Sequence, residues 1–357
     1  MKVTTSPLNW LVTGGCGFIG TRLVGHLLAD NQQVRVVDNV SVGTREDLAQ
    51  AAGFVERLPL HVSGVVEGQL ELIEGDVRDE RLALEAAQGM DVIVHLAGNT
   101  GVQPSIEDPR LDCASNVIGT LNYLEAARNA GVKRFVFASS GGTVIGDCEP
   151  PIHEEMVARP KSPYGASKSA CEGYLSAYHG TFGLETVALR FSNVYGPGSN
   201  HKNSVVAKFI RRAMRGQALE IYGDGNQSRD FLYIDDLLEA VSLAATVEGV
   251  GGEVFQIASN RETTVNELAA ALLPVLAGYD LDAVQLQHAS PLTGEIRRNY
   301  SDTSKALRKL GWKPEVSLYD GLTRTVEWFL STSDWEDSLQ TQTATRKQAL
   351  EEAEMAL

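Results

Sequence analysis

Cysteine is scarce: four residues, Cys16, Cys113, Cys148 and Cys171, in a chain of 357. None falls in a Cys-x-x-Cys pair, and the seven histidines show no matching ligand spacing, which argues against a metal site. Four scattered cysteines also make no disulfide framework. They read as reduced, mostly buried small hydrophobes of a cytoplasmic protein. Long apolar runs are missing too. Nothing approaches the ~18 consecutive apolar residues of a membrane span, and Met1 to Trp10 lacks the basic flank and apolar run of a secretory leader. Basic charge is in deficit, with Lys+Arg 31 against Asp+Glu 46 and a net charge of −15. Such an acidic surface repels phosphate backbones and anionic lipid, so neither nucleic acid nor membrane is an expected partner. Any anion pocket must be local.

What is present is ordinary globular material, 43% hydrophobic and 22% charged. At roughly 150 residues per domain, the length suggests two domains. Leu8–Thr13, Gln33–Val37, Leu70–Glu74, Val92–Leu96, Arg134–Ala138 and Thr186–Arg190 read as apolar strands. Helix-period segments separate them: Phe18–Ala29, Arg81–Gln88, Ala114–Ala130 and Tyr164–His179. Strands apolar on both faces, alternating with helices, predict an α/β fold with a doubly wound parallel sheet. After Pro197 the rhythm loosens into glycine-rich loops, short strands and helices at Val205–Arg215 and Asp235–Thr246, which predicts a smaller lobe. Residues 51–68 read as a surface insertion and 332–357 as an acidic tail.

Directly after the first strand comes Gly14-Gly15-Cys16-Gly17-Phe18-Ile19-Gly20, opening into a helix, and the second strand ends at Asp38. Glycines let the backbone turn tightly and approach a pyrophosphate, whose charge meets the free N–H groups of Gly17 to Gly20. Asp38 stands where a carboxylate accepts from the adenosine ribose hydroxyls and repels a 2′-phosphate, so NAD is favoured over NADP. Further on, Tyr164 and Lys168 lie four residues apart, on one face of a helix. A nearby ammonium favours the phenolate, bringing a tyrosine toward use as a proton acceptor. Such pairs are common on exposed helices. The glycine loop upstream and Ser139-Ser140 between them tie this one to a site.

On these residues, with Asp76-Val77, His95-Leu96-Ala97, Asn116, Asn193-Val194-Tyr195-Gly196-Pro197 and Arg229-Asp230-Phe231, the chain resembles an extended short-chain dehydrogenase/reductase. It is most similar to the UDP-glucose 4-epimerase group, from about Asn9 to Leu330. The resemblance implies a Rossmann-type NAD domain at 1–196, with 233–262 returning to it, and a substrate lobe at 197–232 and 263–331. It implies that Asp76 and Val77 hold the adenine, that Leu96 and Ala97 line the cofactor channel, and that Asn39, Asn116, Ser139 and Lys168 complete the cofactor set. Asn193 would contact the nucleotide-sugar substrate, while Arg229 would clamp its diphosphate, for which a planar guanidinium is suited. Tyr164 would take the sugar 4-hydroxyl proton. The glycine-rich loop Gly223–Gln227 is expected to be flexible enough to close over a ligand. The resemblance also implies a homodimer, through the helices Ala114–Ala130 and Tyr164–His179.

The chain departs from the family at two places. Where a serine or threonine hydroxyl usually partners the tyrosine, it has Gly141, leaving Ser140 or Thr143 to supply one. Gly141 and Gly142 also stand where related 4,6-dehydratases and UDP-glucuronate decarboxylases carry acids, which favours an epimerase. Near Gly294-Glu295, Leu292 replaces an arginine that contacts substrate phosphates, with Arg297 or Arg298 as possible substitutes. Asn299 falls at the position that gates sugar size. The remaining alternatives are a decarboxylase, a dehydratase, or a non-catalytic NAD-sensing regulator. His26, His61, His179 and His288 read as surface residues and His95 as a structural hydrogen-bonder.

Overall fold

The computed structural model describes residues 7–58, 68–281, 284–291 and 297–332. His61, the centre of the 51–68 insertion, Leu292, Gly294-Glu295 and all of the 332–357 tail but Thr332 lie outside the described residues.

The first seven strands are β1 (Asn9–Thr13), β2 (Gln33–Asp38), β3 (Phe54–Glu56), β4 (Leu70–Glu74), β5 (Val92–His95), β6 (Arg134–Ser140) and β7 (Glu185–Phe191). Shorter strands follow: β8 (Asn193–Tyr195), β9 (Leu219–Tyr222), β10 (Ser228–Arg229), β11 (Phe231–Tyr233), β12 (Glu253–Ile257), β13 (Thr263–Thr264) and β14 (Leu286–Ala289). Eight strands form one sheet in the order β12-β7-β6-β5-β1-β2-β4-β3, with every pairing parallel. The chain starts at β1, winds outward through β2 and β4, then returns to β5 and winds the other way. The order therefore reverses between β1 and β5, and the crevice at their C-terminal ends is where such sheets bind ligands.

Helices cover both faces. The first six are α1 (Phe18–Ala29), α2 (Arg45–Ala49), α3 (Glu80–Ala86), α4 (Val102–Glu107), α5 (Pro109–Cys113) and α6 (Gly119–Ala130). Then come α7 (Gly141–Ile145), α8 (Pro163–Phe182), α9 (Val205–Met214) and α10 (Ile234–Thr246). The last three are α11 (Val265–Ala277), α12 (Ser304–Leu310) and α13 (Leu318–Leu330). Alternation along β1 splits the core in two. Trp10 and Val12 pack with Leu23 and Leu27 of α1 and Val241 of α10, whereas Leu11 packs with Tyr123 of α6 and Cys171 of α8. The fold is the doubly wound Rossmann type that the strand and helix rhythm predicted, with smaller α/β elements beyond β7. Three two-stranded pairings, β8 with β11, β9 with β14 and β10 with β13, make up those elements.

One difference lies in the long helix expected over Ala114–Ala130. Residues Ala114–Ile118 form a π-helical turn before α6 begins. Apolar spacing does not distinguish that widened turn from an α-helical one, and such bulges gather at functional sites. The cysteines also differ from expectation: Cys16 and Cys171 are buried, but Cys113 is exposed and Cys148 half-buried.

Candidate active site

The glycine loop leaves β1 at the crevice. Gly14 has φ of +74°, and a Cβ there would lie 2.9 Å from the Ala97 backbone nitrogen at the end of β5. A Cβ on Gly20 would come within 2.1 Å of the Gly14 carbonyl oxygen. These positions admit only glycine because loop, helix and neighbouring strand touch through backbone. Gly17 caps α1 without a side-chain bond, and the ladder starts with Thr21 N donating to Gly17 O at 2.9 Å. The N–H groups of Phe18, Ile19 and Gly20 precede it and face the loop. A glycine cradle with free helix donors fits a dinucleotide pyrophosphate.

Asp38 is buried at the end of β2, where Oδ2 accepts from Cys16 N at 2.9 Å and Oδ1 from Val40 N at 2.8 Å. Burial raises its pKa while these donors lower it. The carboxylate thus braces the loop. Asn39 Nδ2 donates to Asp76 Oδ2 at 3.2 Å, which brings together two residues of the expected cofactor set. The Arg78 guanidinium holds Asp76 down at about 2. Val77 packs under Gly119, and its carbonyl accepts from Asn122. His95 is buried and bonds Thr13 Oγ1 at 2.9 Å, while that hydroxyl accepts from Ala97 N at 3.2 Å. It is the structural hydrogen-bonder expected. Burial, with the Lys168 charge, lowers it to about 3, so it stays neutral.

Ser162 caps α8 by accepting from Gly165 N at 3.2 Å, and Pro163 fixes the first turn. Tyr164 and Lys168 follow on that turn and the next. Lys168 Nζ donates to Ala138 O at 2.9 Å and lies 4.6 Å from the Phe137 ring centroid but 5.8 Å from that of Tyr164. The expected lowering of the Tyr164 pKa by this lysine is not what the geometry produces. Burial first, then Asp112 and Cys171, push the phenol up to about 12. Burial lowers Lys168 itself. Asn116, on the π-helical turn, has Nδ2 within hydrogen-bond distance of Asn99 O, Asp112 Oδ1 and Ser167 Oγ, three acceptors for its two N–H donors, and Ser167 donates to Tyr164 O. Its Oδ1 is buried without a partner.

Gly141 and Gly142 open α7 at the end of β6. A Cβ on Gly141 would lie 2.6 Å from Gln256 Oε1, and one on Gly142 would lie 2.2 Å from Asn299 Nδ2. Larger side chains from elsewhere therefore fill the space, and Asn299 sits against Gly142. Thr143 Oγ1 is buried with no partner. The Thr143 carbonyl lies where a Cβ on Gly165 would be, 2.1 Å away, so α7 and α8 meet at backbone distance. Ser140 leads into α7 and makes no capping bond.

A cavity of about 480 Å³ opens beyond β8 and β11, lined by Asn193, Lys202, Tyr222, Arg229, Phe231 and Val265 among others. Register pairing sets Asn193 beside Phe231. Arg229 donates to Ser228 O, while buried Asp230 accepts from Ser259 and Ser301 instead. In the Gly223–Gln227 loop, Asn266 Nδ2 donates to Asp224 O at 3.0 Å and Gln227 Nε2 to Tyr222 O at 2.8 Å. Arg297 pairs with Asp224 and Arg298 with Glu262 and Glu149. Glu172 escaped the sequence reading. It accepts from Ser139 at 2.6 Å and from Arg190 through two bonds at 2.9 and 2.8 Å. Its spacing, four residues beyond Lys168, was the available signal.

Residues 10–258 match the NAD dependent epimerase/dehydratase family, and the chain belongs to it. It is 36% identical over 332 residues to a UDP-glucose 4-epimerase of Mycolicibacterium smegmatis, covering 91% of this chain and 100% of that one. It is 32% identical over 358 residues to a dTDP-glucose 4,6-dehydratase of Escherichia coli, covering 92% of this chain and 94% of the relative. A solved UDP-glucose 4-epimerase from Thermotoga maritima, with UDP-glucose, superposes at TM-score 0.80 and 36% identity over 90% of this chain and 98% of that one. No described helix is long and apolar enough to cross a membrane.

Proposed function

We propose that the chain is an NAD-dependent UDP-sugar 4-epimerase. The observation that carries this over a dehydratase or decarboxylase is the filled space at Gly141 and Gly142. Gln256 and Asn299 fill the space that a side chain at Gly141 or Gly142 would take, and the residue directly before Val144 is Thr143, which is no acid. An epimerisation that removes and returns hydrogen at C4 needs no such acid. A non-catalytic regulator is disfavoured by Tyr164 and Lys168 on successive turns of α8 at the sheet crevice.

In this reading Tyr164 holds the proton that leaves the sugar 4-hydroxyl and gives it back on return. Bound NAD supplies the reversible hydride acceptor, and its positive ring charge favours the phenolate. Lys168 is fixed by Ala138 O and Phe137 at the ribose position. Of the two hydroxyls left open by the sequence, Thr143 is assigned the partner role, because its Oγ1 is buried and unsatisfied. Arg229 and Asn193 hold the nucleotide diphosphate in the cavity they line. The sugar is glucose/galactose, an N-acetyl form or a glucuronate-type sugar, with Asn299 over Gly142 as the residue that senses its size.

A cytoplasmic homodimer completes the proposal. Ile106, Ile118, Tyr174 and Phe182 are exposed on α4, the π-helical turn and α8, an apolar set suited to a second copy. Four unpaired cysteines suit a reducing compartment. Incubation with UDP-glucose, UDP-N-acetylglucosamine and UDP-glucuronate, followed by separation of products by mass and stereochemistry, tests the activity. A product of unchanged mass and inverted C4 is expected. Loss of water or carbon dioxide would overturn the reading.

A further inference from the structure

Lys202 has no role in the residue set above, yet its surroundings are unusual. Its ammonium donates to Val194 O at 2.8 Å and lies 5.3 Å from the centroid of Phe18, the first residue of α1. It also lines the cavity that holds Asn193 and Arg229. It stands in the wall between the glycine-loop helix and the substrate cavity. No described carboxylate lies within ion-pair distance of it. The neighbouring cations differ: Lys208 pairs with Glu220, and Arg22 with Asp235.

Lys202 is half-buried with no described counter-charge, and burial lowers it to about 8. An ammonium has three donors, and the described residues give this one a single acceptor. The surrounding sequence has the same bias. Residues 186–219 contain six Lys and Arg and no Asp or Glu, inside a chain of net charge −15. An anion is the missing partner. Lys202 lines the same cavity as Arg229 and lies against the first residue of the glycine-loop helix, and a diphosphate is the anion expected at both places.

We propose that Lys202 is a diphosphate-binding residue, giving its two remaining N–H donors to a ligand diphosphate at the boundary of the cofactor loop and the substrate cavity. The nucleotide sugar and the dinucleotide both offer that chemistry. The substrate side of this inference rests on the nucleotide-sugar reading above.

Calorimetric titration of the full-length protein with UDP, uridine and NAD separates the cases, using wild type, Lys202→Met and Lys202→Arg. Lys202→Gln serves if the methionine variant does not fold, as judged by circular dichroism. With the substrate diphosphate as partner, the methionine variant binds UDP about ten- to a hundredfold more weakly, as expected for lost charged hydrogen bonds, while uridine binding is unchanged. With the cofactor pyrophosphate as partner, NAD affinity falls instead. In either case Lys202→Arg retains most of the affinity. UDP and NAD affinities both unchanged in a folded variant overturn the proposal. Wild-type protein that binds no UDP overturns the nucleotide-sugar reading, and the NAD titration alone then decides for Lys202.

Discussion

The Asn299 carboxamide occupies the space that a side chain on Gly142 would take, with Nδ2 2.2 Å from where its Cβ would be. Residues 157 positions apart in sequence thus share one volume, and Gly142 cannot gain a side chain while Asn299 keeps its place. Gly142→Ala must displace Asn299, with an expected loss of about 1–3 kcal/mol as in other overpacked sites. Asn299→Gly in the same chain should return most of it. Urea denaturation of the two single variants and the double variant measures the coupling. Independent, additive losses would mean that the two side chains do not compete.

Asp38 accepts from the backbone of Cys16 and Val40, so it shapes the loop, and in the proposed function it also recognises the ribose. Asp38→Asn keeps the size but loses the charge that repels a 2′-phosphate. NAD affinity is expected to fall about tenfold or more, on the scale of a hydrogen bond to a charged group. Discrimination against NADP should narrow at the same time. Paired titrations with NAD and NADP check both. Unchanged discrimination would place the choice of cofactor elsewhere.

Much of this arrangement was legible in sequence, for identifiable reasons. The helix Phe18–Ala29 matched to the residue because a glycine turn starts it and 3.6-residue apolar spacing sustains it. The loop-to-Asp38 spacing is equally local. What escaped depends on distant chain. The π-helical turn at Ala114–Ile118 shares the apolar rhythm of an α-helix. Gln256 and Asn299 reach the Gly141-Gly142 site from other elements, and no short motif announces them. The Tyr164 pKa moved opposite to expectation because spacing reports the distance along a helix, not the Ala138 carbonyl that holds Lys168 or the burial around the phenol.

That burial has a measurable sign. A Tyr164 pKa raised from 10 to about 12 keeps the phenol neutral in cofactor-free protein. Below pH 10 the folded and unfolded chains both carry it protonated. Above pH 10 the unfolded chain ionises first, so the stability Tyr164 contributes is lost as pH climbs toward 12. The absorbance difference at 295 nm between wild type and Tyr164→Phe is therefore expected to show no phenolate at pH 10, where an exposed tyrosine is about half ionised. A half-ionised signal at pH 10 would contradict the burial argument.

Away from the site, Arg35 and Glu71 are fully buried on β2 and β4 and bonded at 2.7 Å, with Arg35 also donating to Ala86 O. Glu71→Gln leaves the guanidinium buried without its carboxylate, and an expected loss of about 3–5 kcal/mol follows. Glu71 also pairs with Arg57 at 2.9 Å, so Arg35→Met with Glu71→Leu removes the buried pair but leaves Arg57 without its carboxylate, and should recover only part of the loss. Thermal melts of the three proteins compare them. A single variant as stable as wild type would show that the pair is not needed to neutralise Arg35.

Thr143 offers the sharpest separation of structure from chemistry. A buried hydroxyl without a partner costs about 1–3 kcal/mol, so a fold selected for stability alone would place valine there. Thr143→Val keeps the shape and removes the unsatisfied oxygen, and its stability is expected to equal or exceed that of wild type. Its turnover is expected to fall about a hundredfold, the lower end of what a positioned proton-handling group contributes. Ser140→Ala should leave turnover within a few-fold, since Ser140 only leads into α7, and Thr143→Ser should restore most of the loss. Steady-state kinetics beside thermal melts on the three variants resolve the roles. If Ser140→Ala stops turnover while Thr143→Val does not, the partner hydroxyl of Tyr164 is Ser140.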